Sequence, residues 1–154
     1  MTYNFDKVHT VKDLTISIII LGLGAGLYFL NGGLGIALLI AGIISLVFYK
    51  SGYSDPVTKV VLRKSCAEAD KKCRQSLLDF SSGLSDELEI VRTGTGPVVR
   101  IEMYHNLEEG IAYVQLYDFE NYNYVASGEL ASLEESRAAL LLNKMSFAGR
   151  KCRQ

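Results

Sequence analysis

The sequence predicts an α+β membrane protein: a two-helix transmembrane hairpin, then a small domain with a helix, a four-stranded, mostly antiparallel sheet and a C-terminal helix. Three observations predict it. Residues 14–49 contain no Asp, Glu, Lys or Arg. Asn31-Gly32-Gly33 splits that run into segments 14–30 and 34–49, each close to the roughly 17–25 residues a spanning helix requires. From residue 55 the pattern changes to an amphipathic helix, a series of short alternating segments between turn signals, and a last amphipathic helix.

The first element is a short N-terminal segment, residues 1–13, and the second is the hairpin, 14–50. Lys7 and Lys12 precede the first span, and Lys50, Lys59, Arg63 and Lys64 follow the second, while the connecting Asn31-Gly32-Gly33 is uncharged. Basic residues near span ends are retained on the cytoplasmic side, so both termini are expected there, with the chain integral to an inner or plasma membrane. Tyr28 and Phe29 at one end, and Phe48 and Tyr49 at the other, suit the interfacial belts where aromatic rings settle. A cleaved signal peptide ending near Leu30 is the competing reading. Against it, the apolar run exceeds a signal core, and a second span begins at once instead of a polar mature sequence.

Glycines mark the expected packing faces. Gly22 and Gly26 are four apart on one helix face, and Gly35, Leu38, Gly42 and Ser45 form a second stripe. Small residues let backbones approach closely, which matters where lipid offers no hydrophobic drive for pairing. The stripes either hold the two helices of the hairpin together or dock a further chain. With no charged residue in either span, an intramembrane proton relay or ion site is not expected, and transport by a single copy is excluded. Gly22-Leu23-Gly24-Ala25-Gly26 lacks the third glycine of a dinucleotide fingerprint and lies inside a span, so it carries no such meaning.

Residues 55–82 read as an amphipathic connector helix. Asp55-Pro56 resembles an N-cap followed by proline at the first helical position, and Leu62, Cys66, Ala69, Cys73, Leu77 and Phe80 recur at steps of three and four. Between residues 55 and 74, Lys59, Arg63, Lys64, Lys71, Lys72 and Arg74 outnumber Asp55, Glu68 and Asp70. A basic helix beside a bilayer is expected to touch anionic lipid headgroups. Beyond Arg74, acidic pairs such as Asp86-Glu87, Glu108-Glu109 and Glu134-Glu135 prevail, which argues against a nucleic-acid partner.

Residues 86–149 are the expected cytoplasmic α+β domain, with residues 150–154 as a basic tail. Four strands are expected: Glu87–Arg92, Val98–His105, Ile111–Asp118 and Tyr122–Gly128. Thr93-Gly94-Thr95-Gly96-Pro97 lacks the lysine and following helix of a phosphate loop and reads as a turn. Ser132 with Glu135 three residues later forms a capping box for the last helix, whose buried stripe is Ala138, Leu141, Leu142, Met145 and Ala148, with Gly149 as C-cap. If the helices cover the face bearing Val99, Ile101, Val114 and Leu116, then Tyr104, Tyr113 and Tyr117 stand on the other face, joined by Tyr122 or Tyr124. Tyrosine is enriched at interfaces, and it also forms ordinary cross-strand pairs on a solvated sheet.

Few residues are candidates for chemistry. The three cysteines, Cys66, Cys73 and Cys152, form no CxxC pair, and in a cytoplasmic domain they are expected to be reduced, with Cys66 and Cys73 as small buried hydrophobes. His9 lies at the membrane surface and His105 at a strand end, and neither has an evident nucleophile or orienting acid. No catalytic or metal-ligating motif occurs, so no enzyme, cofactor or metal is expected. The best-supported function is a membrane-anchored, non-enzymatic interaction module, an accessory or regulatory subunit of a membrane complex that binds a protein partner through its cytoplasmic domain. The alternatives are a homo-oligomeric pore or effector assembled through the glycine stripes, or an immunity protein against a membrane-active toxin.

Overall fold

A computed structural model describes residues 5–94, 96–148 and 150–152 of the chain. The chain divides into two compact units, residues 5–61 and the remainder from Leu62.

The first unit is a helical hairpin closed at its base. Strand β1 (Asp6–Val8) leads into helix α1 (Val11–Tyr28), a short turn, helix α2 (Gly32–Phe48) and strand β2 (Gly52–Ser54), which pairs antiparallel with β1. At 18 residues and a mean hydropathy of 1.5, α1 is long and apolar enough to cross a bilayer. Helix α2 has 17 residues, the lower limit for a span, and carries no charge. Asn31 caps α2, its side-chain oxygen accepting from the Leu34 N–H at 3.2 Å.

Helix α1 starts three residues earlier than expected because Thr10 and Asp13 form a capping box. The segment therefore includes Lys12 and a carboxylate. Asp13 is only 2% exposed: it accepts from the Thr10 N–H at 2.9 Å, the Ser51 N–H at 2.9 Å and the Ser51 hydroxyl at 2.7 Å. One acid thus caps α1 and ties it to the chain leaving α2. One turn further in, the Ser17 hydroxyl donates to the Asp13 carbonyl, and Ser17 Oγ lies 2.9 Å from Ser45 Oγ on the facing helix.

Glycine sets the approach of the two helices, though not every glycine the sequence suggested. A Cβ at Gly35 would lie 2.4 Å from Tyr28 Cα, one at Gly42 2.7 Å from the Leu21 side chain, and one at Gly24 2.8 Å from the Leu39 backbone nitrogen. Gly35 and Gly42 are the interhelical positions expected, and Gly24 is their partner on α1. Gly22 and Gly26 meet nothing within 4 Å and face away from α2. The reason is rotational: Asp13, Ser17 and Gly24 occupy the buried face of α1, so residues two positions from Gly24 turn outward.

The second unit is an antiparallel sheet with helices on one face. Strands β3 (Val61–Asp70), β4 (Val98–Asn106), β5 (Ile111–Glu120) and β6 (Asn123–Ser132) pair in chain order, and a short β7 (Arg150–Lys151) pairs with the outer side of β3. Helix α3 (Arg74–Ser81) follows a 3₁₀ turn over Lys71–Cys73, and α4 (Glu135–Ala148) follows β6. Their apolar sides meet Ala67, Ala69, Val99, Ile101, Met103, Ala112, Val114 and Leu116 through Cys73, Leu77, Phe80, Ala138, Leu141 and Met145. Arg137 on α4 donates to the Phe80 and Ser85 carbonyls and pairs with Asp86, fixing the chain that leaves α3.

The α+β composition stands, with seven strands among the described residues where four were expected. The connector helix over 55–82 is corrected to strand β3 followed by the short α3. Asp55 caps no helix; its carboxylate accepts from Val57 and Thr58 in a turn that leaves Lys59 at φ 62°. The helical spacing of Leu62, Cys66 and Ala69 was coincidental, because eight cross-strand pairs with β4 outweigh local propensity. Glu87–Arg92 is no strand. With β3 and β5 on its two sides, β4 has no free edge for it. The segment instead runs beside α3 and buries Leu88 and Ile90, while its Val91 carbonyl accepts from Asp70 N–H at 2.8 Å. Ser132 is the last residue of β6, paired with Tyr113, so it does not cap α4. Gly149 lies outside the described residues.

The reduced state expected for the cysteines is also corrected. Cys66 and Cys152 form a disulfide with Cα atoms 5.6 Å apart, while Cys73 is free and buried. The pairing was not legible because it depends on the C-terminal tail returning to β3.

Candidate interaction face

Alternation along the strands sends every second side chain to the sheet face that α3 and α4 leave uncovered. Lys64, Cys66 and Glu68 come from β3, Arg100, Glu102 and Tyr104 from β4, Tyr113, Gln115, Tyr117 and Phe119 from β5, and Tyr124 from β6. The register places Lys64 opposite Tyr104 and Tyr104 opposite Tyr113.

Lys64, Glu68, Arg100, Glu102, Tyr104 and Tyr124 form one connected network. Lys64 Nζ lies 2.7 Å from Glu102 Oε2, which also accepts from the Tyr104 hydroxyl at 3.3 Å. Arg100 bridges Glu102 at 4.0 Å and Glu68 at 3.5 Å. Tyr124 donates to Glu68 at 2.8 Å, and the Arg100 guanidinium sits 3.7 Å above the Tyr124 ring, within cation–π range. Burial, with the Glu102 carboxylate nearby, raises the Tyr117 phenol above its ordinary value; burial and Glu68 do the same for Tyr124. Both phenols therefore stay neutral donors throughout the physiological range. Two cations balance two carboxylates across the network, so the face presents directional hydrogen bonding without a field of one sign.

Tyr104, Tyr113 and Tyr117 stand on the face opposite α3 and α4, as the alternation implied. They are not freely projecting: Tyr104 is 9% exposed, and Tyr113 and Tyr117 are half-buried. The accessible aromatic area lies further along, at the β5–β6 turn, where Phe119 is 47% and Tyr122 94% exposed. Asn121 and Tyr122 both have positive φ, 48° and 63°, the pattern of a type I′ hairpin turn. Glycine is preferred at the second position, so an exposed tyrosine there is held against its backbone preference. The Asn-Tyr-Asn sequence could have signalled the turn, but the exposure of Phe119 depends on strand register.

The six basic residues do not lie on one helix. Lys59 belongs to the first unit. Arg63 and Lys64 stand near the start of β3, and Lys71, Lys72 and Arg74 beyond its end, roughly 25 Å along an extended strand. Several are engaged within the domain: Lys64 with Glu102, and Arg74 with Asp118 at 3.0 Å and with Ser127. The continuous helical stripe for lipid headgroups is therefore absent, since half of it is strand.

On the helix-covered face, Ser65 Oγ lies 2.9 Å from His105 Nε2. Burial and the nearby Arg63 hold the imidazole below the ordinary histidine range, so it is neutral at physiological pH. No carboxylate among the described residues hydrogen-bonds its other nitrogen, so the pair lacks the orienting group of a catalytic triad. No cluster of three or more potential metal ligands occurs among the described residues.

No family model matches the chain, and neither a curated protein nor a solved structure is significantly similar to it.

Proposed function

We propose that this chain is a two-pass, membrane-anchored interaction module, an accessory or regulatory subunit of a membrane complex that engages a protein partner through the sheet face bearing Glu68, Arg100, Tyr117 and Tyr124. The observation that carries the anchor is the surface of the hairpin. Ile18, Ile19, Leu23, Ile36, Ile40, Ile43, Ile44 and Val47 are exposed, and only 17% of the α1 window is buried. A core helix of a soluble protein hides such residues, whereas lipid accepts them. A cleaved signal sequence would need no fitted partner, yet Gly35 and Gly42 on α2 are shaped to α1. The basic flanks favour termini in the cytoplasm, whereas the Cys66–Cys152 disulfide favours an oxidising compartment.

The partner surface rests on its chemistry. Its tyrosines and Arg100, continued by Phe119 and Tyr122, are residue types enriched at protein interfaces, and the balance of cations with carboxylates leaves no cation excess of the kind a nucleic acid requires. The test is purification of the full-length protein in mild detergent from its host, followed by mass analysis. A stoichiometric companion lost on Tyr113→Ser/Tyr117→Ser supports the module. A companion-free homo-oligomer sinks it.

One observation favours a second reading. The Cβ positions of Gly22 and Gly26 are open, so that face of α1 is available to another copy in a pore or effector assembly. Liposome leakage abolished by Gly22→Leu/Gly26→Leu would support that reading over the first.

A further inference from the structure

We propose that the C-terminal tail is a redox-released strap: the Cys66–Cys152 disulfide holds β7 on the outer edge of β3, and reduction frees the tail and uncovers the stretch of that edge at residues 66–68.

Strand β7 has only two residue pairs with β3, Ala67 with Lys151 and Glu68 with Arg150. A pairing this short contributes little by itself, because ordering the tail costs about 1–2 kcal/mol of backbone entropy per residue. The next position of the same register sets Cys66 opposite Cys152, so the bridge lies in line with the ladder and supplies the missing hold. The Cα separation of 5.6 Å suits a disulfide without movement of either strand.

The bridge is separate from the core. The apolar cluster between sheet and helices includes the free Cys73 but neither Cys66 nor Cys152, and both bridged residues are half-buried, within reach of a reductant. Opening the bridge removes no core contact, and β3 keeps its eight pairs with β4. What changes is the β3 edge, whose backbone groups then become available to an added strand. Cys66 stands between Lys64 and Glu68, directly opposite Glu102, so the strap ends at the margin of the polar network. The release itself does not depend on that network binding a partner.

The chemistry is thiol–disulfide exchange with a dithiol reductant. One thiolate of the reductant attacks a bridge sulfur, forming a mixed disulfide and expelling the other cysteine as a thiolate. The second thiol of the reductant then displaces the mixed disulfide. The bridge takes up two electrons and two protons, and the reductant leaves as its own disulfide.

Full-length protein in lipid nanodiscs, purified without reductant, is the sample for the test. Alkylation under denaturing conditions should modify one cysteine before reduction and three after it. Hydrogen–deuterium exchange before and after treatment with dithiothreitol should show loss of protection at residues 150–152 and on the outer side of 66–68, with β4 and β5 unchanged. Cys152→Ser, which leaves β3 intact, should show the released pattern without reductant and no further response to it. Three alkylated cysteines before reduction would overturn the proposal. So would an unchanged tail after reduction, and so would loss of protection throughout β4 and β5, which would make the bridge a staple of the whole fold.

Discussion

Single residues decide more of this protein than their sequence context announces. Asp13 adjoins the apolar run and could be taken for a flanking charge, yet it is buried and accepts hydrogen bonds from both ends of the hairpin. A carboxylate with such partners is an anchor, which no spacing rule distinguishes from a solvated one. His105 is the residue through which the second unit should respond to mild acid. Its folded pKa lies below the unfolded value of 6.5 because burial and Arg63 disfavour the imidazolium. Between those two values the unfolded chain binds more protons, so stability rises with pH there. The contribution is fully present above pH 6.5 and is lost as pH falls through the folded pKa. Urea midpoints between pH 7.5 and pH 5 should therefore fall more for the wild type than for His105→Gln. Equal slopes for the two would show that His105 does not carry the response.

Elements were legible where local pattern and tertiary environment agree. Both hairpin helices follow from an uncharged run with a glycine break, and β4 and β5 from strict alternation. The alternation also assigned Tyr104, Tyr113 and Tyr117 to a shared face. Strand β3 reads as a helix because Leu62, Cys66 and Ala69 fit a helical stripe, and only the edge that β4 offers decides for a strand. The glycines give a sharp test at this scale. Gly35→Leu would drive a side chain into the Tyr28 backbone, where neither helix can yield without separating. It should destabilise the hairpin by about 1–3 kcal/mol, the range for overpacking a well-packed core. Gly22→Leu meets open space and should change hairpin stability by less than about 0.5 kcal/mol. Titration of the detergent-solubilised protein with denaturing detergent, read by far-UV circular dichroism, compares them. Similar losses for both variants would mean that α1 presents a different face to α2.

At the scale of the molecule, the two units have separate reasons to exist. In the first, α1 is long and apolar enough to cross a membrane and only 17% of its window is buried; the second has its own core between sheet and helices. A fragment of residues 62–154 should accordingly remain soluble and unfold in one cooperative transition. Circular dichroism during urea titration checks this, and a fragment that aggregates or shows no transition would mean that the core is incomplete without residues 1–61.

Sequence alone was enough for the hairpin, its bilayer-compatible composition, the α+β character of the C-terminal unit and the face on which the tyrosines stand. These are consequences of hydropathy, charge placement and period-two alternation, all read over a few neighbouring residues. Tertiary structure was needed to make β3 a strand, to bring Gly24 rather than Gly22 or Gly26 against α2, to complete the polar face with Lys64 and Glu68, and to join Cys66 to Cys152. Each of those is a pairing between residues remote in the chain, and its energy depends on which edge, face or helix side is already occupied. Local propensity contains no term for that.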